Sequence, residues 1–172
     1  MSRTEENLHA AFAGESMARN TYTYFAKVAA KEGLHAIAKV FQETADNEMR
    51  HAKDHFLQLG GLGDTRANLK AAAEGEHYEV TEMYPEFARV AREEGNVKVA
   101  ILFEQIAKVE ARHEARYKKL LEQLEAGTLF ERDEPIEWKC DVCGWTHKGK
   151  KAPGKCPCCG HPQGHFLPGD LF

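Results

Sequence analysis

A carboxylate and an imidazole three residues apart occur twice in the chain, as Glu48 with His51 and as Glu110 with His113. On an α-helix, residues i and i+3 lie on one face about one turn apart, so both side chains can reach a single metal ion. Similar apolar stripes precede both motifs and place them on the face expected to point into a core. An uncompensated carboxylate is costly there, which predicts a bound cation.

Four long helices are needed to position these groups. The apolar periodicity and the glycine stops predict helices over about 4–32, 35–59, 74–94 and 97–126, with a connection over about 62–73. Glu15 interrupts the apolar face of the first helix, and Glu76 and Glu79 fall on the inward face of the third. An irregular first half of the third helix, or a kink at Pro85, would rotate that register.

The helices form an internal repeat with an offset of 62 residues. Phe25 to Gly33 matches Phe87 to Gly95, and at the same offset the first Glu-x-x-His motif falls on the second. Two related hairpins, each with carboxylates on its first helix and Glu-x-x-His on its second, predict a four-helix bundle with a dinuclear carboxylate site. A single core Glu or His is more often structural than a ligand. Here, five carboxylates and two imidazoles at matched depths favour two iron or manganese ions.

All five cysteines lie between Cys140 and Cys159, after the helical periodicity has ended at Gly127. Cys140 with Cys143, and Cys156 with Cys159, form two C-x-x-C knuckles whose four thiolates suit one tetrahedral ion. The spacing does not distinguish a structural zinc ribbon from a redox-active Fe(Cys)4 site. Cys158 is left over.

Composition sets the remaining bounds. The chain has 172 residues, 42% of them hydrophobic, which is enough for one ordinary domain and a small appendage. We expect a boundary between a bundle over 1–130 and a metal domain over 131–172. The net charge of −4 and the pI near 6.1 argue against nucleic acid, and no long apolar run suggests a membrane span. The acidic N-terminus lacks a signal-like apolar region, so a cytoplasmic protein is expected.

Together these motifs resemble the rubrerythrin family over essentially the whole chain. The resemblance rests on Glu15 within Ala-Phe-Ala-Gly-Glu-Ser, the segment Glu48-Met-Arg-His51-Ala-Lys, the carboxylates ahead of Met-Tyr-Pro, the second Glu-x-x-His motif, and the terminal knuckles with His161-Pro162 and His165-Phe166. It implies a ferritin-like all-α bundle followed by a small rubredoxin-like domain of strands and loops.

The resemblance also implies a ligand set for two irons. One iron would be held by Glu15, Glu48, Glu110 and either Glu79 or His51, and the other by Glu76, Glu48, Glu110 and His113, with Glu48 and Glu110 bridging. Tyr22 and Tyr84 match tyrosines that surround the family's site.

The activity implied by the resemblance is a peroxidase that protects against oxidative stress. Hydrogen peroxide would be reduced to water with one electron from each of two ferrous ions, and electrons would return through the Fe(Cys)4 site. No G-x-G-x-x-G segment for a dinucleotide follows a predicted strand, so an external reductase or rubredoxin-type carrier, linked to NADH, should supply them.

Two other functions use the same residues. An iron-storage protein would share the helices and form a hollow shell, which the C-terminal tail would obstruct. A structural zinc ribbon would make the tail an interaction module. Because electrons must pass from tail to bundle, we also expect at least a homodimer. The connection between the second and third helices would also let hairpins exchange between chains.

Overall fold

The computed structural model describes residues 1–170 and contains five α-helices followed by three strands. The helices are α1 (Arg3–Lys31), α2 (His35–Gln58), α3 (Thr65–Tyr78), α4 (Tyr84–Glu93) and α5 (Val97–Glu125), and the strands are β1 (Glu131–Cys140), β2 (Thr146–Lys151) and β3 (Phe166–Pro168). A π-helical turn, Glu79–Met83, joins α3 to α4. By its internal contacts the chain divides into two compact units, one of residues 1–63 and one that begins at Asp64.

The first unit is the hairpin of α1 and α2. Ser2 and Glu5 form the predicted capping box at the start of α1, and Gly33, with φ of +80°, ends the helix before a tight turn. The buried side chains of this hairpin are alanines, at positions 26, 29, 45 and 52. Small side chains let the two helices approach closely, and the larger apolar side chains are left for another contact.

The helical part of the second unit begins earlier than predicted. The expected connection over 62–73 and a helix start near Glu74 are wrong, because α3 begins at Thr65. Asp64 caps it by accepting a hydrogen bond from the Ala67 backbone N–H at 2.8 Å. The irregularity anticipated ahead of Pro85 takes the form of the π-helical turn. Pro85 has no backbone N–H to donate to the preceding turn of the helix. The wider π-helical turn just before it accommodates the missing hydrogen bond.

The internal repeat extends to the packing of aromatic rings. In the first hairpin the rings of Tyr22, Phe25 and Phe41 contact one another, with centroids 5.5–6.4 Å apart. The same arrangement, displaced by 62 residues, recurs in the second hairpin at Tyr84, Phe87 and Phe103. The continuous helical stretch 65–93 also equals α1 in length, at 29 residues. The two hairpins are therefore structural copies.

The C-terminal strands form an antiparallel sheet in the order β2-β1-β3. Its small core contains Trp138, Cys140, Ala152, Cys156 and Phe166. The Trp138 indole donates to the Gly149 carbonyl at 3.0 Å, which satisfies its N–H inside this core. A helical part followed by a small strand-rich domain confirms the predicted fold class. None of the described helices is long and apolar enough to cross a membrane.

Candidate metal centres

The first hairpin brings Glu15, Glu48 and His51 together. The His51 Nδ1 atom lies 2.8 Å from Glu48 Oε2 and 4.0 Å from Glu15 Oε1. One ligand atom from each residue lies within 4.8 Å of the others, so the three can reach a common ion. Glu15 comes from α1, and the other two come from one face of α2, as the i, i+3 spacing requires.

The second unit repeats this arrangement with Glu76, Glu110 and His113. The His113 Nδ1 atom lies 2.5 Å from Glu110 Oε2 and 3.6 Å from Glu76 Oε1. Here too, one ligand atom from each of the three residues lies within 4.8 Å of the others. In both groups the carboxylates are more buried than the imidazole, since the exposed fraction of the Glu48 side chain is 17% and that of His51 is 54%.

Burial and mutual repulsion act on the second group. Burial, and then the negative charge of Glu110, raise the pKa of Glu76. Burial, and then Glu79 and Glu110, likewise raise the pKa of Tyr84. Carboxylates gathered in this way favour a cation among them, because a cation removes the repulsion that raises the pKa.

Glu79 and Tyr22 lie outside both three-residue groups. Glu79 is half-buried at the start of the π-helical turn and acts electrostatically on Glu76 and Tyr84. Tyr22 contacts Phe25 and Phe41. The assignment of Glu79 as an alternative iron ligand, like the rest of the ligand set, stays a prediction.

The donor atoms of the two groups fit iron. Carboxylate oxygens and imidazole nitrogens are the ligands of carboxylate-rich dinuclear sites in helical bundles, which use two further glutamates with two Glu-x-x-His motifs. Glu15 and Glu76 supply the two further glutamates. The two groups accordingly carry the Glu and His ligands that a diiron site uses.

Four cysteines converge in the C-terminal domain, and they are the four that the knuckle pattern predicts. The Sγ atoms of Cys140 and Cys159 are 3.7 Å apart, and so are those of Cys143 and Cys156. A tetrahedron with metal–sulfur bonds of about 2.3 Å has edges of about 3.8 Å, so the cage has the size that zinc or iron needs. Cys158 is exposed and does not belong to the group.

Backbone donors surround these sulfurs. The backbone groups of Trp145 and His161 hydrogen-bond the sulfurs of Cys143 and Cys159. Burial opposes ionisation of Cys156, yet backbone hydrogen bonds from Cys159 and Cys158, with two neighbouring thiols, lower its pKa to about 7. Oriented N–H groups stabilise thiolate charge, as the knuckle pattern predicts.

The structure adds contacts that the sequence pattern did not single out. The His161 Nδ1 atom lies 3.3 Å from Cys159 Sγ, and its ring meets His165 edge-on with centroids 5.0 Å apart. Near the second carboxylate group, the His77 Nδ1 atom is 2.8 Å from Glu114 Oε1, which links α3 to α5. The only signal for this link was adjacency, since His77 follows Glu76 and Glu114 follows His113.

Comparisons with known proteins agree with both parts of this description. A family model described as Rubrerythrin matches residues 6–121, and one described as Rubrerythrin, rubredoxin-like domain, matches residues 138–167. Rubrerythrin of Porphyromonas gingivalis is 51% identical over 180 residues, covering 97% of this chain and 90% of that protein. Rubrerythrin of Nitratidesulfovibrio vulgaris is 47% identical over 178 residues, covering 96% of this chain and 93% of that protein.

A solved structure is also similar in sequence. Nigerythrin in a partially reduced state is 34% identical to this chain. The match covers 98% of this chain and 87% of that chain, with a TM-score of 0.38. The sequence relatives thus match nearly the whole chain, including both its helical part and its four-cysteine part.

Proposed function

Because this chain belongs to the rubrerythrin family, we propose that it is a peroxidase that reduces hydrogen peroxide to water at its diiron site. An iron held by the four cysteines would relay the electrons, and the protein works in the cytoplasm in protection against oxidative stress. The observation that carries this proposal is the presence, in one chain, of two matched Glu-Glu-His groups and a four-cysteine cage.

In this proposal each residue group has its own part. Glu15, Glu48 and His51 would hold one iron, and Glu76, Glu110 and His113 would hold the other. Glu48 and Glu110 would serve as ligands to both ions, and Glu79 would be the alternative to His51 at the first iron. When bound, a pair of ferrous ions supplies the two electrons that one peroxide molecule requires. An iron held by the four cysteines would supply these electrons one at a time.

The protein's own groups supply the surroundings that this reaction needs. Reducing one peroxide to two water molecules consumes two protons as well as two electrons. The raised pKa of Tyr84, caused first by burial, keeps its phenol protonated as an O–H donor near Glu79 and Glu110.

The decisive experiment is anaerobic rapid mixing of fully reduced, iron-loaded protein with one equivalent of peroxide. The absorption of the ferric thiolate should appear quickly, and much faster than with dioxygen. A protein that is colourless in every state and holds zinc at the four cysteines would refute the relay and favour a zinc ribbon. A large hollow particle containing mineral would instead favour iron storage.

An external donor is the second part of the proposal. The sequence shows no dinucleotide fingerprint, so the immediate electron source is a reductase or a rubredoxin-type carrier. NADH alone should leave the purified oxidised protein unchanged, whereas NADH with a reductase and carrier should bleach the ferric thiolate. Direct reduction by NADH would overturn this partner assignment.

A further inference from the structure

The four-cysteine domain differs in charge from the rest of the chain. Residues 138–167, which match the rubredoxin-like family model, contain five lysines, one aspartate and no arginine or glutamate, a net charge of +4. The whole chain has a net charge of −4, so the other residues together carry −8. A basic part within an acidic chain indicates that this part meets an anionic partner.

Most of these lysines are not neutralised by neighbouring side chains. Four are exposed and make no ion pair within residues 1–170, and they are called the unpaired lysines below: Lys139, Lys148, Lys150 and Lys155. The fifth, Lys151, lies 3.3 Å from Glu131 Oε2. The aspartate of the segment, Asp141, lies 3.0 Å from His165 Nδ1. The positive charge of the domain is therefore available to a partner.

Three of the unpaired lysines share the outer face of the sheet. Lys148 and Lys150 are two residues apart on β2, and the register of β1 with β2 puts Lys139 on the same face. Glu137 lies opposite Lys148 and offsets one of the three charges. Lysines on an edge strand such as β2 also hinder unwanted strand pairing. That role does not explain Lys139, which is on the central strand, or Lys155, which is outside the strands.

The two cysteine knuckles are structural copies, and an unpaired lysine precedes each of them. In both, the N–H of the first cysteine donates at 2.8 Å to the carbonyl five residues later, and a glycine N–H donates back at 2.9 Å. These glycines, Gly144 and Gly160, have φ of +76° and +77°. Lys139 and Lys155 come directly before the first cysteine of each knuckle. Two positive charges thus flank the four-sulfur cage at equivalent positions.

The tips of the knuckles offer an apolar contact beside the sulfurs. Val142 is 47% exposed. Its neighbour Cys143, which belongs to the cage, is exposed, and so is Cys158 on the second knuckle. A small apolar centre with a charged rim suits a transient electron-transfer contact, which buries less than about 1,200 Å². A protein docked on these tips would lie next to the redox-active atoms.

We infer that an acidic one-electron carrier protein docks on the knuckle tips and that the unpaired lysines attract and orient it. One electron leaves the carrier and reduces a ferric ion held by the four cysteines to ferrous, and no covalent bond forms or breaks. Electrostatic attraction of this kind raises association rates by about 10–10³-fold and weakens as salt shortens its range. The inference rests on the proposed electron relay and adds to it the charge of the donor and the surface that receives it.

The test measures electron entry alone, without peroxide. Oxidised, iron-loaded protein is mixed anaerobically with a reduced acidic flavodoxin, and bleaching of the ferric thiolate is followed apart from the flavin signal. Replacing all four unpaired lysines by glutamine takes residues 138–167 from +4 to 0. This variant should keep the ferric-thiolate spectrum and react at least about tenfold more slowly than wild type at low ionic strength. At high ionic strength the two proteins should react at nearly equal rates.

A matched pair of single variants separates the docking surface from the net charge of the protein. Lys150→Glu should slow the reaction roughly threefold at low ionic strength. Lys98→Glu makes the same change in charge on an exposed lysine about 40 Å along α5 from the helix end that leads to β1, and it should have no effect. Equal rates for the two variants would overturn the inference. So would a flavodoxin with amidated carboxylates that still distinguishes Lys150→Glu from wild type.

A neutral quinol separates docking from a change at the iron itself. It should bleach every variant at the wild-type rate, and losses that parallel those with flavodoxin would show that the lysines act on the iron and not on a partner. Reduction by flavodoxin that duplex DNA blocks at physiological ionic strength would assign the lysines to nucleic acid and overturn the inference. A wild-type protein that the quinol cannot bleach would refute the relay itself. Lysine-dependent electron entry without peroxide reduction would refute the peroxidase proposal and leave the docking surface intact.

Discussion

Cys158 and Cys159 are neighbours in the chain with different surroundings. Cys159 belongs to the four-sulfur cage, whereas Cys158 is exposed and outside it. We expect Cys158→Ser to bind one ion at this site with an unchanged thiolate absorption spectrum. Cys159→Ser should lose the tetrahedral site and its spectrum, because only three thiolates remain. Metal analysis with absorption spectroscopy distinguishes the two, and a loss of metal in Cys158→Ser would show that the ligand pairing is wrong.

Asp170 joins the end of the described chain to α5 and β1. Its carboxylate accepts hydrogen bonds from Arg132 Nε at 2.9 Å and Lys119 Nζ at 3.0 Å. The bond from Arg132, and then that from Lys119, outweigh burial and lower the pKa of Asp170 to about 2. A carboxyl group whose pKa is lower in the folded state stabilises that state at pH values above its unfolded pKa. The stabilisation is lost as the pH falls from about 4 towards 2.

The replacement Asp170→Asn should therefore lower the free energy of unfolding at pH 7 by about 1 kcal/mol, after allowance for solvent screening at a partly exposed pair. The difference from wild type should shrink between about pH 4 and pH 2. Urea unfolding of both proteins at several pH values measures it, with Asp133→Asn as an exposed control. An unchanged difference at low pH would contradict the role given to this carboxylate.

At the scale of secondary structure, the end of α2 depends on a missing side chain. A Cβ atom at position 61 would lie 2.1 Å from the ring of Phe56, which itself stacks on Phe12. Gly61→Ala should displace that ring and lower the free energy of unfolding by about 1–3 kcal/mol. Gly154→Ala, where no atom lies within 4 Å of the new methyl group, should be neutral.

Thermal or urea unfolding compares these two variants, and combining Gly61→Ala with Phe56→Leu should remove much of the penalty. A full penalty in the double variant would point to backbone strain in place of a clash with the ring.

The helices that carry the Glu-x-x-His motifs were the most predictable elements. Regular apolar stripes and a glycine stop fixed α2 and α5 to within a residue at each end. The start of α3 was not predictable from the stripe, because Leu69 is the only large apolar side chain between Thr65 and Ala73 and Asp64 alone signals the cap. The π-helical turn was anticipated only as an irregularity, since its position depends on how α3 and α4 pack against α5.

The candidate sites follow the same pattern. Spacing along one helix predicted that Glu48 would meet His51 and that Glu110 would meet His113, and the knuckles predicted the four-cysteine cage. Contacts between helices, such as that of His77 with Glu114, depend on tertiary packing and left no periodic signal. The predicted domain boundary between residues 130 and 131 and the detailed ligand assignment stay predictions.

At the scale of the whole molecule, the C-terminal domain should depend on its ion more than the helices do. Its core is small and includes two of the cysteines, Cys140 and Cys156. In a Trp145→Phe protein, fluorescence reports on Trp138, which is fully buried. Chelation of the ion should shift this emission to the red while the helical circular dichroism is largely kept.

A control for that measurement is Cys159→Ser, combined with Trp145→Phe, which should show the shifted emission before any chelator is added. If the emission of Trp138 stays blue after complete metal removal, the strands fold without the ion and the expectation is wrong.

The apolar side chains that each hairpin exposes also bear on how the protein matures in the cell. Val40, Phe25 and their equivalents 62 residues later face solvent. With association rate constants of about 10⁵–10⁷ M⁻¹s⁻¹, chains at roughly micromolar concentration meet within about 0.1–10 s. Synthesis rate sets the local concentration of newly made chains, and so it decides how often these apolar faces meet and how much of the protein aggregates.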